Sequence, residues 1–196
     1  MGIPGEHACR VVYIHLIFTS FVILSNTMLN KLQKIAHSRW YWLALVALGL
    51  SFIFVALYYQ YELEQAPCVL CIQVRILMFC LIFVAFNAFI LHNRWSGLIA
   101  HVLTVVIAAS LLERSYQLLG TERGFVFGDC GFDLGLPSWL ALDNWFPALF
   151  QVEASCGYTP ELVFGITMAE ALIVFSVAFV LISLALTIVS FVRQNH

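Results

Sequence analysis

Cys68 and Cys71 stand in the run Pro67-Cys68-Val69-Leu70-Cys71, and Cys130 and Cys156 form a second candidate pair 26 positions apart. A thiolate attacks a disulfide sulfur through a mixed disulfide, so two dithiol couples within reach of one another can pass an electron pair along. Pro67 cannot continue a preceding helix but suits the start of the next one. That predicts both thiols in the first turn of a helix, where anions are favoured and Cys-x-x-Cys thiolates form readily. Arg75 follows Cys71 by four residues and Cys68 by seven, so all three share a helix face. Its guanidinium could stabilise a thiolate, hydrogen-bond a carbonyl oxygen of a bound cofactor, or anchor the helix by snorkelling to the interface.

Competing chemistry for these cysteines can be weighed directly. A zinc site needs two more ligands at comparable spacing, yet the other cysteines lie far apart and neither cysteine-bearing segment contains a histidine. No metal is expected. A purely structural disulfide inside Cys-x-x-Cys closes a small, strained and easily reduced ring. A Cys130–Cys156 bridge would close a 25-residue stretch, worth about 3.5 kcal/mol on the chain-entropy account. A structural bridge and a redox couple both stay open there. Between them, Leu136 to Pro147 is rich in Trp and Leu with few charges. It reads as a segment in the headgroup layer, which would hold Cys130 and Cys156 near Cys68 and Cys71.

The elements that must position these thiols are membrane helices. Of the 196 residues, 62% are hydrophobic and 10% charged, with a mean hydropathy of +0.95. Soluble domains average about 45–50% apolar and about 25% charged. The net charge of −2 argues against nucleic acid as a partner. A spanning helix takes about 20 mainly apolar residues. The candidates run over Trp40–Tyr61, about Ile72–Leu91, Leu98 to about Leu112, and about Ala171–Phe191, with Val163 to Met168 as an apolar lead-in. Aromatic residues flank the first span as an interfacial belt. Only a short turn at Asn93 to Ser96 joins the second and third spans, which forces a hairpin. The expected fold is an all-α membrane protein, a four-transmembrane-helix bundle with two cysteine-bearing loops on one face.

Lys31, Lys34, Arg39, Arg94 and Arg193 all fall on the other face, which the positive-inside rule makes cytoplasmic. Both termini are then cytoplasmic and both cysteine loops extracytoplasmic, where disulfides persist. Residues 1–38 read as an N-terminal extension or basic leader, with Met28 an alternative start, and residues 39–196 as the membrane domain. Val11–Leu24 is apolar but only 14 residues long, short for a span. Cys80 reads as a packing residue. Glu170 reads as a hydrated interface carboxylate or a proton or quinone contact, and His92 and His101 as interfacial.

Cys68-Val69-Leu70-Cys71 with Arg75, then Cys130 and Cys156 around Trp139-Leu140, Leu142-Asp143, Trp145 and Pro147, resemble the disulfide bond formation protein B (DsbB) family of bacterial inner-membrane thiol–quinone oxidoreductases. The resemblance runs from about Tyr41 to the C-terminus. A DsbA–DsbB–quinone relay is what keeps the bacterial periplasm oxidising. The resemblance implies that Cys130 forms a mixed disulfide with a periplasmic DsbA-like thiol oxidase, and that Cys156 resolves it and exchanges with Cys68. It implies too that Cys71 passes electrons to ubiquinone or menaquinone, with Arg75 holding the ring. Val74 stands where some members carry an acid, and Glu113-Arg114-Ser115-Tyr116-Gln117 lacks the histidine some carry near the end of the third span. No proton-handling residue carries over there. Two other readings are a vitamin K epoxide reductase-like quinone reductase, whose Cys-x-x-Cys is expected near the chain's end, and a non-catalytic four-span scaffold with a structural outer-loop disulfide.

Overall fold

The computed structural model describes residues 38–91, 93–126, 134–135, 142–155, 161–163 and 165–194. Four long helices carry the fold: α1 (Arg39–Tyr61), α2 (Val69–Leu91), α3 (Arg94–Arg123) and, after the elements named below, α6 (Met168–Gln194). Each is long and apolar enough to cross a membrane, so the protein is a multi-pass membrane protein. Helices α1 and α2, α2 and α3, and α3 and α6 pack as neighbours. The expected four-span order holds, and Arg39, Arg94 and Arg193 all fall at the end of the bundle away from Cys68.

Helix boundaries differ from the apolar windows, for local reasons. Ser38 opens α1, its Oγ accepting from the Trp40 N–H at 3.2 Å. Helix α2 begins at Val69, three residues before the apolar window, because Cys68 itself caps it. The Cys68 carbonyl accepts the first helical bond, from the Ile72 N–H at 3.1 Å, and the Cys68 Sγ accepts from the Cys71 N–H at 3.4 Å. Cys68 therefore sits at the cap and only Cys71 lies in the first turn. Helix α3 continues eleven residues past Leu112. Apolarity marks where a chain leaves lipid, while the helix stops where its backbone can close. Gly124 (φ 74°) supplies the left-handed residue. Phe125 N–H bonds to the Gly120 carbonyl and Gly124 N–H to the Thr121 carbonyl, the paired bonds of a Schellman ending. At about 1.5 Å per residue, the 30 residues of α3 are longer than the roughly 30 Å hydrocarbon layer is thick.

Helix α6 opens with a reciprocal cap. The Thr167 Oγ1 accepts from the Glu170 N–H at 3.3 Å, and a Glu170 carboxylate oxygen accepts from the Thr167 N–H at 3.2 Å. Glu170 also pairs with Arg123. The carboxylate is thus a helix cap and an α3–α6 tie at the bundle end. Two short strands, β1 (Glu161–Val163) and β2 (Ile166–Thr167), pair antiparallel just before α6; β2 lies in the stretch read as an apolar lead-in and β1 ends where that stretch begins. Helix α4 (Leu142–Trp145) falls in the Trp-rich segment, and α5 (Pro147–Phe150) opens on the proline that ends it.

Lipid tails are as apolar as leucine, so helix association rests on close packing and interhelical hydrogen bonds. Buried Ala100, Thr104, Ala108 and Ser115 on α3 match buried Ser176, Ser183 and Ser190 on α6. The Ser115 and Ser176 hydroxyls lie 2.7 Å apart across that seam. Gly49 lets α1 approach α2, since a Cβ there would lie 2.5 Å from the Ile82 Cγ1. His101 is 2% exposed, stacked against Tyr41 and tilted against Trp42, so protein rings surround its imidazole. His92, Cys9 and residues 1–37 lie outside the described residues.

Candidate functional site

At the capped start of α2 the Cys68 and Cys71 sulfurs lie 2.8 Å apart. Cys68 is buried and Cys71 half-buried. The spacing puts Cys71 at the third helical position, where its N–H points back at the capping side chain. One sulfur is held by the helix terminus while the other stays more accessible.

The segment leading to Cys156 is attached at the same place. The Pro67 carbonyl accepts from the Glu153 and Ala154 N–H groups at 3.0 and 3.2 Å, and Cys68 and Ala154 form an isolated parallel bridge. The Tyr61 hydroxyl donates to the Ala148 carbonyl at 2.7 Å, tying α5 to the end of α1. On the other side of α2, Gln73 Nε2 donates to the Leu134 carbonyl at 3.3 Å, and Leu134 is buried. Both flanks of the Trp-rich segment are therefore anchored at the first turns of α2. Cys130 and Cys156 themselves lie outside the described residues.

Arg75 lies one turn deeper and is 6% exposed. Its Nη1 donates to the Gln60 Oε1 at 2.6 Å and to the Leu149 carbonyl at 3.2 Å, and its Nη2 donates to the Ala56 carbonyl at 3.2 Å. The Nε is buried without a hydrogen-bond partner among the described residues. A buried donor without an acceptor costs about 1–3 kcal/mol, so the site holds unused donor capacity. Snorkelling is overturned for this side chain: its terminal nitrogens are fixed by protein acceptors from α1 and α5, not by the interface.

Cys68, Cys71 and Arg75 line one cavity of about 350 Å³ between α1, α2 and the start of α6. Phe52, Ile53, Ala56 and Tyr59 form one wall, Val74 and Met78 another, and Met168, Ala171 and Leu172 close it, with Leu118 of α3. The size falls in the range of small-molecule sites, about 300–1,000 Å³, and so does the character: apolar walls with few polar groups. The donor set suits a flat, mostly apolar ligand with a carbonyl oxygen, as a quinone has. Cys80 is exposed on α2 and is absent from the cavity wall, so it faces away from the bundle instead of packing within it as its sequence suggested.

Two contributors escaped the sequence reading. Gln60 is 15 positions from Arg75 and the Leu149 carbonyl 74, so no local spacing joins them to it. A single amide inside Tyr58-Tyr59-Gln60-Tyr61 was the available signal. The capping pattern Thr167-Met168-Ala169-Glu170 was legible too, as Thr-x-x-Glu before an apolar run.

The model of the family described as disulfide bond formation protein DsbB matches residues 38–186. Curated relatives named "Disulfide bond formation protein B" include one from Shewanella amazonensis, 32% identical over 148 residues, covering 74% of this chain and 88% of that protein. One from Haemophilus influenzae is 32% identical over 163 residues, covering 81% and 92%. One from Yersinia enterocolitica is 28% identical over 179 residues, covering 86% and 97%.

Proposed function

The chain belongs to the DsbB family, and on that premise we propose that it reoxidises a periplasmic DsbA-like dithiol oxidase and delivers the electrons to a membrane quinone. It acts as a protein-dithiol:quinone oxidoreductase that sustains disulfide bond formation in a bacterial inner membrane. One observation carries the reading: the Cys68–Cys71 couple forms part of the wall of an apolar cavity holding a buried arginine, and Cys68 is bridged to the segment that leads into Cys156. Ala154 precedes Cys156 by two residues, at most about 7 Å of extended chain.

The exchange begins with Cys130–Cys156 and Cys68–Cys71 both oxidised. A thiolate of the partner attacks the Cys130 sulfur, forming a mixed disulfide and releasing Cys156 as thiolate. The Cys156 thiolate attacks the Cys68 sulfur, forming a Cys156–Cys68 bond and releasing Cys71 as thiolate beside the cavity. The partner's second thiolate attacks the mixed disulfide, so the partner leaves oxidised and Cys130 is freed as a thiolate. Cys130 then attacks Cys156, which restores the outer disulfide and leaves Cys68 and Cys71 carrying the electron pair. A quinone, ubiquinone or menaquinone, supplies the two-electron, two-proton acceptor when bound there. Cys68 and Cys71 face that acceptor's cavity, the Arg75 guanidinium beside it would donate to a carbonyl oxygen, and the apolar walls exclude water.

The cationic ends Arg39, Arg94 and Arg193 support a cytoplasmic face and cytoplasmic termini, and Glu113, Glu122 and Glu153 an opposite, periplasmic face. The test supplies purified full-length chain with a reduced DsbA-like protein and ubiquinone. Quinol formation is expected, together with a trapped mixed disulfide at Cys130 when the partner's second cysteine is replaced by alanine. A protein that forms neither is an inert scaffold, and the reading fails.

A further inference from the structure

Arg75 has five N–H groups and only some are spoken for by protein. Gln60 Oε1 and the Leu149 carbonyl take bonds from Nη1, and the Ala56 carbonyl takes one from Nη2. The shortest of the three, at 2.6 Å, is the bond to Gln60. Ala56 and Gln60 are one helical turn apart on α1, so this helix presents a backbone acceptor and a side-chain acceptor on a single face. A planar guanidinium gripped at both terminal nitrogens cannot rotate about its axis, and the direction of its Nε–H is then set. That Nε is buried, without a partner among the described residues, in a side chain that lines the cavity.

From this geometry we propose that Gln60 is the positioning residue of the quinone site: its amide oxygen holds the Arg75 guanidinium in place beside the cavity, where its remaining N–H groups can serve a quinone carbonyl. The proposal rests on the reading of the cavity as the quinone site. An amide suits this task better than a carboxylate on one count. It accepts a bond without neutralising the cation, so the full positive charge remains for the developing negative charge on the ligand oxygen. Gln60 is absent from the cavity wall and acts through Arg75 alone.

The experiment uses purified full-length protein in detergent, with a short-tailed ubiquinone as the probe and intrinsic fluorescence quenching as the binding readout. Gln60→Ala is expected to weaken quinone binding about tenfold, which is about 1.4 kcal/mol. Gln60→Glu, which keeps an oxygen acceptor, should restore binding to within about threefold of the parent. In ¹⁵N-labelled quinone-free protein, the Arg75 Nε–H resonance should be sharp, should broaden in Gln60→Ala and should sharpen again in Gln60→Glu. In turnover, the quinone KM should rise in Gln60→Ala while the KM for the dithiol protein stays within about twofold. Equal losses in the Ala and Glu variants would make Gln60 a packing residue and overturn the proposal. Arg75→Ala separates the two levels. If it weakens quinone binding and Gln60→Ala does not, the positioning role alone fails. If Arg75→Ala also leaves quinone binding unchanged, the reading of the cavity fails with it.

Discussion

Replacing Arg75 by lysine should separate what this side chain does for the fold from what it does for a ligand. The three protein acceptors around it are the Gln60 Oε1 and the carbonyls of Leu149 and Ala56. An ammonium carries three N–H groups, so the substituted lysine can serve those acceptors in number although without the fork geometry. Serving them leaves it no N–H for a ligand, whereas the five N–H groups of the guanidinium exceed those three bonds. A hydrogen bond to a charged group is worth about 1.5–3 kcal/mol, and about 1.4 kcal/mol is a factor of ten. The quinone KM of Arg75→Lys should therefore rise about 10- to 150-fold, while thermal unfolding in the same detergent moves by only a few degrees. Arg75→Ala behaves differently, because it also strands the Gln60 and Leu149 oxygens in a buried site at about 1–3 kcal/mol each. The assay is steady-state quinone reduction at saturating dithiol protein, with quinone varied. An Arg75→Lys protein with an unchanged quinone KM would refute the argument, and Arg75 would then be a structural clamp between α1, α2 and α5.

Cys71→Ala should abolish quinone reduction while a mixed disulfide at Cys130 still forms with the partner; retained turnover would remove Cys71 from the route. Gly49→Ala should change stability by less than about 1 kcal/mol. The new Cβ, 2.5 Å from the Ile82 Cγ1, forces a half-buried side chain off its rotamer at about 0.5–1.5 kcal/mol, and the helix gains about 0.5–1 kcal/mol from losing a glycine. Gly49→Val adds branched bulk at the α1–α2 contact and should cost about 1–3 kcal/mol, read as a lower unfolding midpoint in detergent. Equal midpoints for the two variants would mean that the helices are free to separate there.

The Ser115–Ser176 contact illustrates what hydrogen-bond counting adds. Ser115 and Ser176 each contact the carbonyl one turn back, at 2.6 and 2.7 Å, and each other at 2.7 Å. Two hydroxyl protons cannot fill three contacts at once, so the interhelical bond alternates with the local ones. That keeps its worth modest, in line with the roughly 0.6 kcal/mol typical of polar contacts between membrane helices. The seam holds chiefly because small side chains let α3 and α6 approach.

Some of this molecule could be read directly from the order of residues. A 20-residue apolar stretch has one stable conformation in lipid, because every backbone donor and acceptor must be satisfied within it. Four such stretches, the even number of crossings between the cysteine segments, and Pro67 ahead of Cys68 therefore sufficed for the bundle and for Cys68 and Cys71 at a helix start. Arg75 on their face followed from helical spacing alone. Helix ends were less legible where polar sequence continues a helix beyond the lipid, as after Leu112. There the stop depends on Gly124 adopting a positive φ, a backbone event that apolarity does not report.

Tertiary structure alone decided how the arginine is used. Its partners come from α1, 15 positions away, and from the α5 carbonyl, 74 positions away, and a backbone carbonyl carries no sequence signature at all. The cavity likewise belongs to no segment; it exists because α1, α2 and α6 fail to close on one another beside the thiols. Spacing along one helix can align side chains, but which groups remain unpaired inside a bundle depends on every helix packed against it.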